Sequence, residues 1–439
     1  MGVIDMQFCL DSFKDALRNG FLYPNSFSYG YIDEAKFSHF KKEIEWDVRK
    51  IRQTFNELQQ RMDKSYFSKV MLAQSSALDY STLQFPAYSM IVVEDLVDDW
   101  LAIVDSSHKE HARDHSLHQP LTAYVVAELL GYGDVQKSLF IPIGNRNLLD
   151  FCIDAIFDSD AAYILEMARK LGFPDNMLKD SKAAREFWRD VFYRTAILSA
   201  LFHDMGYPWQ YADKVEASLK RAVPHLHPTE KVVSSIIENY KNRMLFLPLL
   251  HYQTSLSNYS IQEKESLNEM TTAALETHGF PGAIAFLSMN DAIRNYPCSL
   301  PSAKIHEFSV EWAAMGIFMH DMEGKHKKLF PKLRINFSQD PLSSIITLAD
   351  YLEEFDRPKV SFSSEQTISK MSFLSDCSSV KVNVDSTGTL NVGMEYTSET
   401  SKVIAAKFKR EETENYFNSS TGYLDLSSLG IKKVNYYPL

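Results

Sequence analysis

The sequence has few cysteines, no long apolar run and no excess of positive charge, and each absence excludes a class of protein. Its four cysteines lie far apart and form no Cys-x-x-Cys pair: Cys9, Cys152, Cys298 and Cys377. A disulfide scaffold and a thiolate zinc site are therefore not expected, and a reducing compartment is the simplest setting. No stretch approaches the roughly 18 apolar residues of a membrane span, and the N-terminus has no charged-then-apolar targeting pattern. We expect a cytoplasmic protein with no membrane partner.

The charge balance is acidic, since 57 Asp and Glu residues against 46 Lys and Arg residues give a formal net charge of −11. A broad nucleic-acid surface needs clustered basic residues that neutralise phosphates, so none is expected. A small basic pocket for a phosphorylated ligand is compatible with this balance. The sequence also lacks a Gly-x-Ser-x-Gly nucleophile motif and a glycine-rich phosphate loop, so serine-based hydrolysis and a P-loop are not expected.

The stretch most informative about chemistry is an apolar helix that ends at an adjacent His and Asp. Residues 188–202 are almost all apolar or helix-forming, which predicts a buried helix, and Gly206 and Pro208 end it. His203 and Asp204 lie at its inner end, where burial is costly unless a partner compensates. A bound cation is the simplest partner, because imidazole and carboxylate are its ligands and a helix C-terminus favours positive charge.

Further His and Asp residues share this setting, on or at the end of helices with apolar bodies, and such positions converge in the core of a helical bundle. In chain order the candidate ligands are His118 (alternate His115), His203, Asp204, His278, His320 (alternate His306) and Asp350. Small residues after His278 let backbones approach closely, which suits a crowded site. The segment 311–322 has the same pattern as the stretch before His203, because it is an apolar helix with a His-Asp pair at its end.

Two flanking regions surround these helices. Residues 1–107 are expected to form an N-terminal helical region, because apolar residues recur at helical spacing at 33–62; we interpret it as scaffold or as a contact between two copies of the chain. After Pro358, alternating patterns on either side of a Ser-Thr-Gly turn predict a β-hairpin. A charged helix and a final strand complete a small α+β accessory domain at 359–439.

These segments resemble the HD superfamily of metal-dependent phosphohydrolases, which is defined by a His, a His-Asp doublet and a later Asp on successive helices. "LFHDMG" is similar to the doublet segment, "RDHSLHQPLTAYV" to the first-His helix, and "PLSSIITLADYLEEFDRP" to the final-Asp helix. The resemblance covers residues 108–358. It implies a mainly α fold, in which an HD-type helical bundle core is followed by the small C-terminal α+β domain. The long interval from the first His to the doublet implies inserted structure at 131–187.

The resemblance also implies the site. His118, His203, Asp204 and Asp350 match the defining ligands, and branches that hold two metals use additional histidines in the interval that contains His278 and His320. In a second register, His278 is the first ligand and His320-Asp321 is the doublet, but the interval to Asp350 is then short for the family. In the first register, Asp321 and His115 are not matched to ligands, and either could orient a ligand imidazole.

The implied activity is hydrolysis of a nucleotide-type phosphoester. A nitrogen and oxygen donor set suits one or two divalent ions of Mn, Fe, Mg, Ni or Zn; with Asp204 as the bridge, such ions lower the pKa of the attacking water. Lys325 and Arg113 are candidate phosphate contacts. Two alternatives use the same ligand set: a mixed-valence di-iron oxygenase, and a catalytically silent, metal-stabilised module that binds a protein partner.

Overall fold

The structure is a computed structural model that describes residues 2–5, 115–131, 146–158, 161–204, 206, 278–280, 282–284, 286–287, 301–321, 334–360 and 372–439. Arg113, Lys325 and nearly all of the predicted N-terminal helical region lie outside the described residues. The described part is mainly helical with small sheets, which confirms the coarse fold class predicted from the sequence. Among the described helices, none is both long enough and apolar enough to cross a membrane.

Within the described residues, seven α-helices lie between β1 (Gly2–Asp5) and β3 (Phe355–Val360). They are α1 (His115–Leu130), α2 (Leu148–Phe157), α3 (Tyr163–Lys170), α4 (Asp175–Leu178), α5 (Lys182–Phe202), α6 (Pro301–His320) and α7 (Pro341–Leu352). Residues 279–280, 282–284 and 286–287 are also helical. Helices α2 to α4 and the start of α5 occupy the interval in which the sequence predicts inserted structure. Helices α1, α5, α6 and α7 pack in a ring, each against the next and α7 against α1, while α7 also contacts α5.

Helix α5 contacts each of the other three helices of this ring. Its N-terminus is capped by the Ser181 hydroxyl, which accepts a hydrogen bond from the Ala184 amide at 3.1 Å. Trp188 of α5 is fully buried and meets Trp312 of α6 edge to face, with ring centroids 6.4 Å apart. Nearer the C-terminal ends of the two helices, the Ser199 hydroxyl donates to the Ala313 carbonyl at 3.1 Å. The shared aromatic core therefore aligns α5 and α6 so that both end on the same side.

Helix α7 is buried over almost its whole length. Asp340 is its N-cap and accepts from the Ser343 amide at 3.1 Å, while Pro341 occupies the first turn, where a missing N–H costs nothing. The apolar positions of the helix, among them Ile345 and Leu348, are fully or almost fully buried. This packing fixes α7 between its neighbours and sets the depth of Asp350 in the fold.

Among the residues that the structure describes, the main sheet has five strands: β1 (Gly2–Asp5), β3 (Phe355–Val360), β4 (Ser372–Val384), β5 (Thr389–Tyr396) and β7 (Lys433–Pro438). The predicted hairpin is confirmed: β4 and β5 are antiparallel, with Val384 opposite Leu390, and Gly388 in the turn has φ of 80°. Helix α8 (Glu399–Phe417) links β5 to β7, which run parallel. A second, two-stranded parallel sheet joins β2 (Ile335–Asn336) to β6 (Leu424–Asp425).

Two features of the sheet bear on the predicted domains. Residues 2–5, which the sequence analysis includes in a helical region, form a strand that pairs with β4, because the edge of β4 offers backbone N–H and C=O groups that another strand can pair with. The predicted boundary between 358 and 359 falls inside β3, which also pairs with β4. One continuous core of buried residues includes members of both the helices and the sheet. The division into separate domains stays a prediction.

The N-cap of α7 gives the first testable prediction. Asp340 is fully buried, and burial raises the pKa of its carboxyl from 3.8 to about 6. Because the folded-state pKa exceeds the unfolded one, the wild type loses stability relative to Asp340→Asn as the pH rises from about 4 to about 6. The Asn side-chain oxygen can still accept the capping hydrogen bond. We therefore expect the free energy of unfolding of the variant, relative to that of the wild type, to rise by about 2–3 kcal/mol across this pH range.

Thermal midpoints at pH 4 and pH 7 test this expectation. Asp175→Asn, which makes the same chemical change at an exposed position of α4, should follow the wild type at both values. A stability difference between wild type and Asp340→Asn that does not depend on pH would contradict the burial argument.

Candidate metal centre

The centre begins at the C-terminal end of α5, where His203 follows the last helical residue. The imidazole is fully buried, and its Nδ1 lies 2.7 Å from the carbonyl of Ala200, one turn earlier. A carbonyl only accepts, so Nδ1 carries the proton and Nε2 presents a lone pair. Asp204, which is 3% exposed, places its Oδ1 3.4 Å from this Nε2.

The end of α6 repeats this arrangement. His320 is the last residue of the helix, and its Nδ1 lies 2.6 Å from the carbonyl of Ile317. Its Nε2 is 3.5 Å from Asp204 Oδ1, and its ring crosses that of His203 with centroids 4.9 Å apart. The two similar sequence segments, which end at His203 and at His320, thus form two helix ends that present imidazoles in the same tautomer to the Asp204 carboxylate.

His278 supplies a third imidazole. Its Nε2 lies 3.0 Å from Asp204 Oδ1 and 3.0 Å from the Nε2 of His320. Its Nδ1 faces the Asp321 carboxylate at 2.7 Å, and the same carboxylate accepts from the backbone amide of His278 at 2.7 Å. Asp321 therefore orients the His278 ring from behind, as a carboxylate does for a metal-bound histidine.

Asp350 completes the cluster from α7, with Oδ1 3.7 Å from His203 Nε2. Its side chain keeps 16% exposure, whereas those of His203 and Asp204 keep 0% and 2%. Solvent thus reaches the cluster on the Asp350 side.

Close backbone contacts at glycines bring these segments together. A Cβ on Gly206 would lie 1.7 Å from the carbonyl oxygen of His278, and a Cβ on Gly279 would lie 2.7 Å from that of Phe318. A Cβ on Gly316 would meet the Ser199 hydroxyl at 2.4 Å. Any side chain at these positions would push the segments apart. The small residues after His278 have the role that the sequence predicts.

The distances within the cluster fit a bound cation. Bonds of about 2.1 Å at tetrahedral or octahedral angles place neighbouring ligand atoms about 3.0–3.4 Å apart. The three Nε2 atoms lie 3.0–3.5 Å from Asp204 Oδ1. Ligand atoms of His203, Asp204 and His320 all lie within 4.8 Å of one another, so this buried group could hold a metal ion. The donors are nitrogen and oxygen only, which does not select one metal.

The electrostatics of the cluster also favour positive charge. Burial lowers the pKa of His278, but the carboxylates of Asp321 and Asp204 outweigh burial and raise it to about 9. Burial raises the pKa of Asp321, but His278 and His320 outweigh burial and lower it. Without a metal ion, the site therefore attracts a proton, and the same field attracts a divalent cation.

The remaining predicted site residues are only partly described. His115 and His118 lie in the first turn of α1, which packs against α5 and α7, but their side chains lie outside the described residues. His306 lies on α6 about four turns before His320, or about 20 Å along the axis, so its backbone is far from the centre. Arg113 and Lys325 lie outside the described residues. The structure thus brings together five of the predicted ligands: His203, Asp204, His278, His320 and Asp350.

Comparison with known proteins identifies no relative: the chain matches no protein-family model, no curated protein and no solved structure. The class of the protein therefore follows from its own fold and site. It is a mainly helical protein with a buried His-Asp cluster that could hold a metal ion.

Loss of the central carboxylate gives the second prediction. Asp204→Asn keeps the shape of the side chain but removes the charge that faces three imidazoles. Loss of a residue that merely supports a ligand costs about 10–100-fold in metal affinity, so we expect a larger loss here, while the helix content measured by circular dichroism stays near wild type. Metal content after equilibrium dialysis with Mn²⁺ measures the effect. Asp154→Asn is the matched control, because it makes the same change in the partly exposed ion pairs of α2.

Loss of the Asp321 carboxylate gives the third prediction. Asp321→Asn weakens the support behind His278 without removing a predicted ligand, so Mn²⁺ affinity should fall about 10–100-fold, clearly less than in Asp204→Asn. Isothermal titration with Mn²⁺ compares the two variants. An affinity equal to that of wild type would show that Asp321 does not orient a ligand.

Proposed function

We propose that the protein is a metal-dependent phosphohydrolase of the HD type, which hydrolyses a nucleotide-type phosphoester. The observation that carries the proposal is the convergence of three buried imidazoles on the Oδ1 atom of Asp204. These ligands come from chain segments far apart in the sequence, in the order that the resemblance to the HD superfamily implies.

The residues of the cluster have different roles in this proposal. Asp204 has the central position, so its carboxylate would hold the metal together with the imidazoles around it. His203 and His320 hold fixed tautomers through the carbonyls behind them, and His278 holds its own through Asp321. When bound, one or two divalent ions supply Lewis acidity and bring a coordinated water close to ionisation at neutral pH.

The partly exposed Asp350 indicates where a substrate approaches. It is the least buried of the five converging residues. A phosphoester that enters on this side meets the centre without displacing the buried imidazoles, of which His203 and His320 are fixed at the ends of α5 and α6 and His278 is fixed by Asp321. Arg113 and Lys325 stay predictions as phosphate contacts on the substrate side; the nucleotide preference depends on such contacts and on the resemblance.

A phosphate-release screen tests the proposal as the fourth prediction. The purified chain is loaded separately with Mn²⁺, Mg²⁺, Ni²⁺, Fe²⁺ or Zn²⁺ and incubated without oxygen with nucleoside mono-, di- and triphosphates and cyclic dinucleotides. We expect metal-dependent hydrolysis of at least one nucleotide. His203→Ala and Asp204→Asn should abolish turnover because both remove converging ligands, whereas Asp154→Asn should retain it.

Three outcomes would count against the proposal. Full activity in Asp204→Asn would refute the site. No turnover without oxygen, together with turnover in a parallel incubation with Fe²⁺ and oxygen, would favour the oxygenase. Full metal occupancy without turnover across the panel would favour a metal-stabilised module that binds a protein partner.

A further inference from the structure

The C-terminal unit, residues 372–439, contacts the helix end that carries His320. The Tyr423 hydroxyl donates a hydrogen bond to the carbonyl of Met319, the residue directly before His320. Tyr423 is fully buried, and its ring packs against Tyr416 of α8. The bond therefore joins the fixed core of the C-terminal unit to the last turn of α6.

A second contact reaches the helix end that carries Asp350. Lys409 of α8 donates to the carbonyl of Tyr351, the residue directly after Asp350. Its Nζ also forms ion pairs with Glu354 at 3.2 Å and Glu412 at 2.8 Å, and Lys409 is fully buried. This buried ammonium therefore has a fixed position between one carbonyl and two carboxylates, because moving it would break both ion pairs in a site that water does not reach.

A third bond fixes α8 on α7 beside this contact. The hydroxyls of Tyr351 and Thr413 are 2.7 Å apart, and the Thr413 hydroxyl lies 2.6 Å from the Lys409 carbonyl. The Lys409 ammonium also lies 4.1 Å from the centre of the Tyr351 ring, over its face. Helix α8 thus contacts the end of α7 through the backbone carbonyl, the hydroxyl and the ring of Tyr351.

Both acceptor carbonyls belong to the last turn of their helices. The last four carbonyls of a helix have no partner inside the helix and need one from elsewhere. At α6 and α7 the C-terminal unit supplies these partners, one residue away from a candidate ligand in each case. Two independent bonds to the same kind of acceptor, at the two helix ends that face one centre, are more specific than general packing between units.

We propose that the C-terminal unit is part of the metal centre, with Tyr423 and Lys409 as positioning residues that hold His320 and Asp350 at ligand distance. This inference rests on the metal site of the proposed function. Shifts of about 1 Å at a ligand are enough to weaken a site whose geometry must be pre-organised. The unit then acts on metal affinity and coordination geometry without contacting the ion.

Co²⁺ binding to the full chain tests the proposal as the fifth prediction, because the visible absorption of Co²⁺ reports the arrangement of its ligands. Tyr423→Phe removes one hydroxyl, and Lys409→Met removes one ammonium of similar length. We expect each variant to bind Co²⁺ about 10–100-fold more weakly than wild type, which is the usual loss when a residue that orients a metal ligand is removed. The absorption spectrum of bound Co²⁺ should also change. Both measurements are made at a temperature where the metal-free protein is fully folded.

Two matched controls lie on strands of the same unit, Tyr436 on β7 and Lys381 on β4. Tyr436→Phe removes a hydroxyl bonded to Tyr396 at 3.1 Å, and Lys381→Met removes an ammonium paired with Glu395 at 3.3 Å. Both should keep the affinity and spectrum of wild type, even where they lower the thermal midpoint. A purely structural role of Tyr423 would lower the midpoint of the metal-free protein and leave the Co²⁺ spectrum unchanged.

The outcomes separate this inference from the proposed function. Wild-type affinity and spectrum in folded Tyr423→Phe would overturn the positioning role while leaving the metal site intact. Failure of wild type itself to bind Co²⁺ or Mn²⁺ would overturn both proposals. If Lys409→Met does not fold, because Glu354 loses its ion-pair partner, Tyr423→Phe alone decides the question.

Discussion

The arrangement of the helical core depends on one electrostatic constraint: a buried carboxylate surrounded by three imidazoles. The Nε2 atoms of His278 and His320 lie 3.0 Å apart, a separation that needs a proton or a cation between them. Burial makes this need strict, because water cannot substitute for the missing charge. The ends of α5 and α6 add the partial negative charge of their terminal carbonyls, which further favours a cation at this position.

The fold meets this constraint with close backbone packing and with polar bonds at helix ends. Gly206, Gly279 and Gly316 let three chain segments approach more closely than any side chain would allow. Aromatic packing between α5 and α6 then makes the approach rigid, since interlocked rings resist sliding. The C-terminal unit adds further polar bonds at helix ends, because Tyr423 and Lys409 donate to carbonyls in the last turns of the two helices that carry His320 and Asp350.

Some parts of the site could be predicted from the sequence because they depend on local pattern. An apolar run that ends in His-Asp predicts a buried helix end with ligand chemistry, and the same pattern at 311–322 predicts a second one. The hairpin of β4 and β5 follows from alternation around a turn. The tasks of Tyr423 and Lys409 leave no such signal, since a tyrosine in a loop and a lysine on a charged helix are ordinary surface residues until the fold buries them.

The sequence by itself determined the mainly helical class, the hairpin and the residue types able to bind a cation, because helical periodicity, strand alternation and ligand chemistry are properties of neighbouring residues. Only the tertiary structure decided that Asp204 is the common partner of His203, His278 and His320, and that Asp321 supports His278. It also decided that the C-terminal unit forms hydrogen bonds to the last turns of α6 and α7. These relations join residues far apart in the chain, so they depend on packing between elements, which no local pattern encodes.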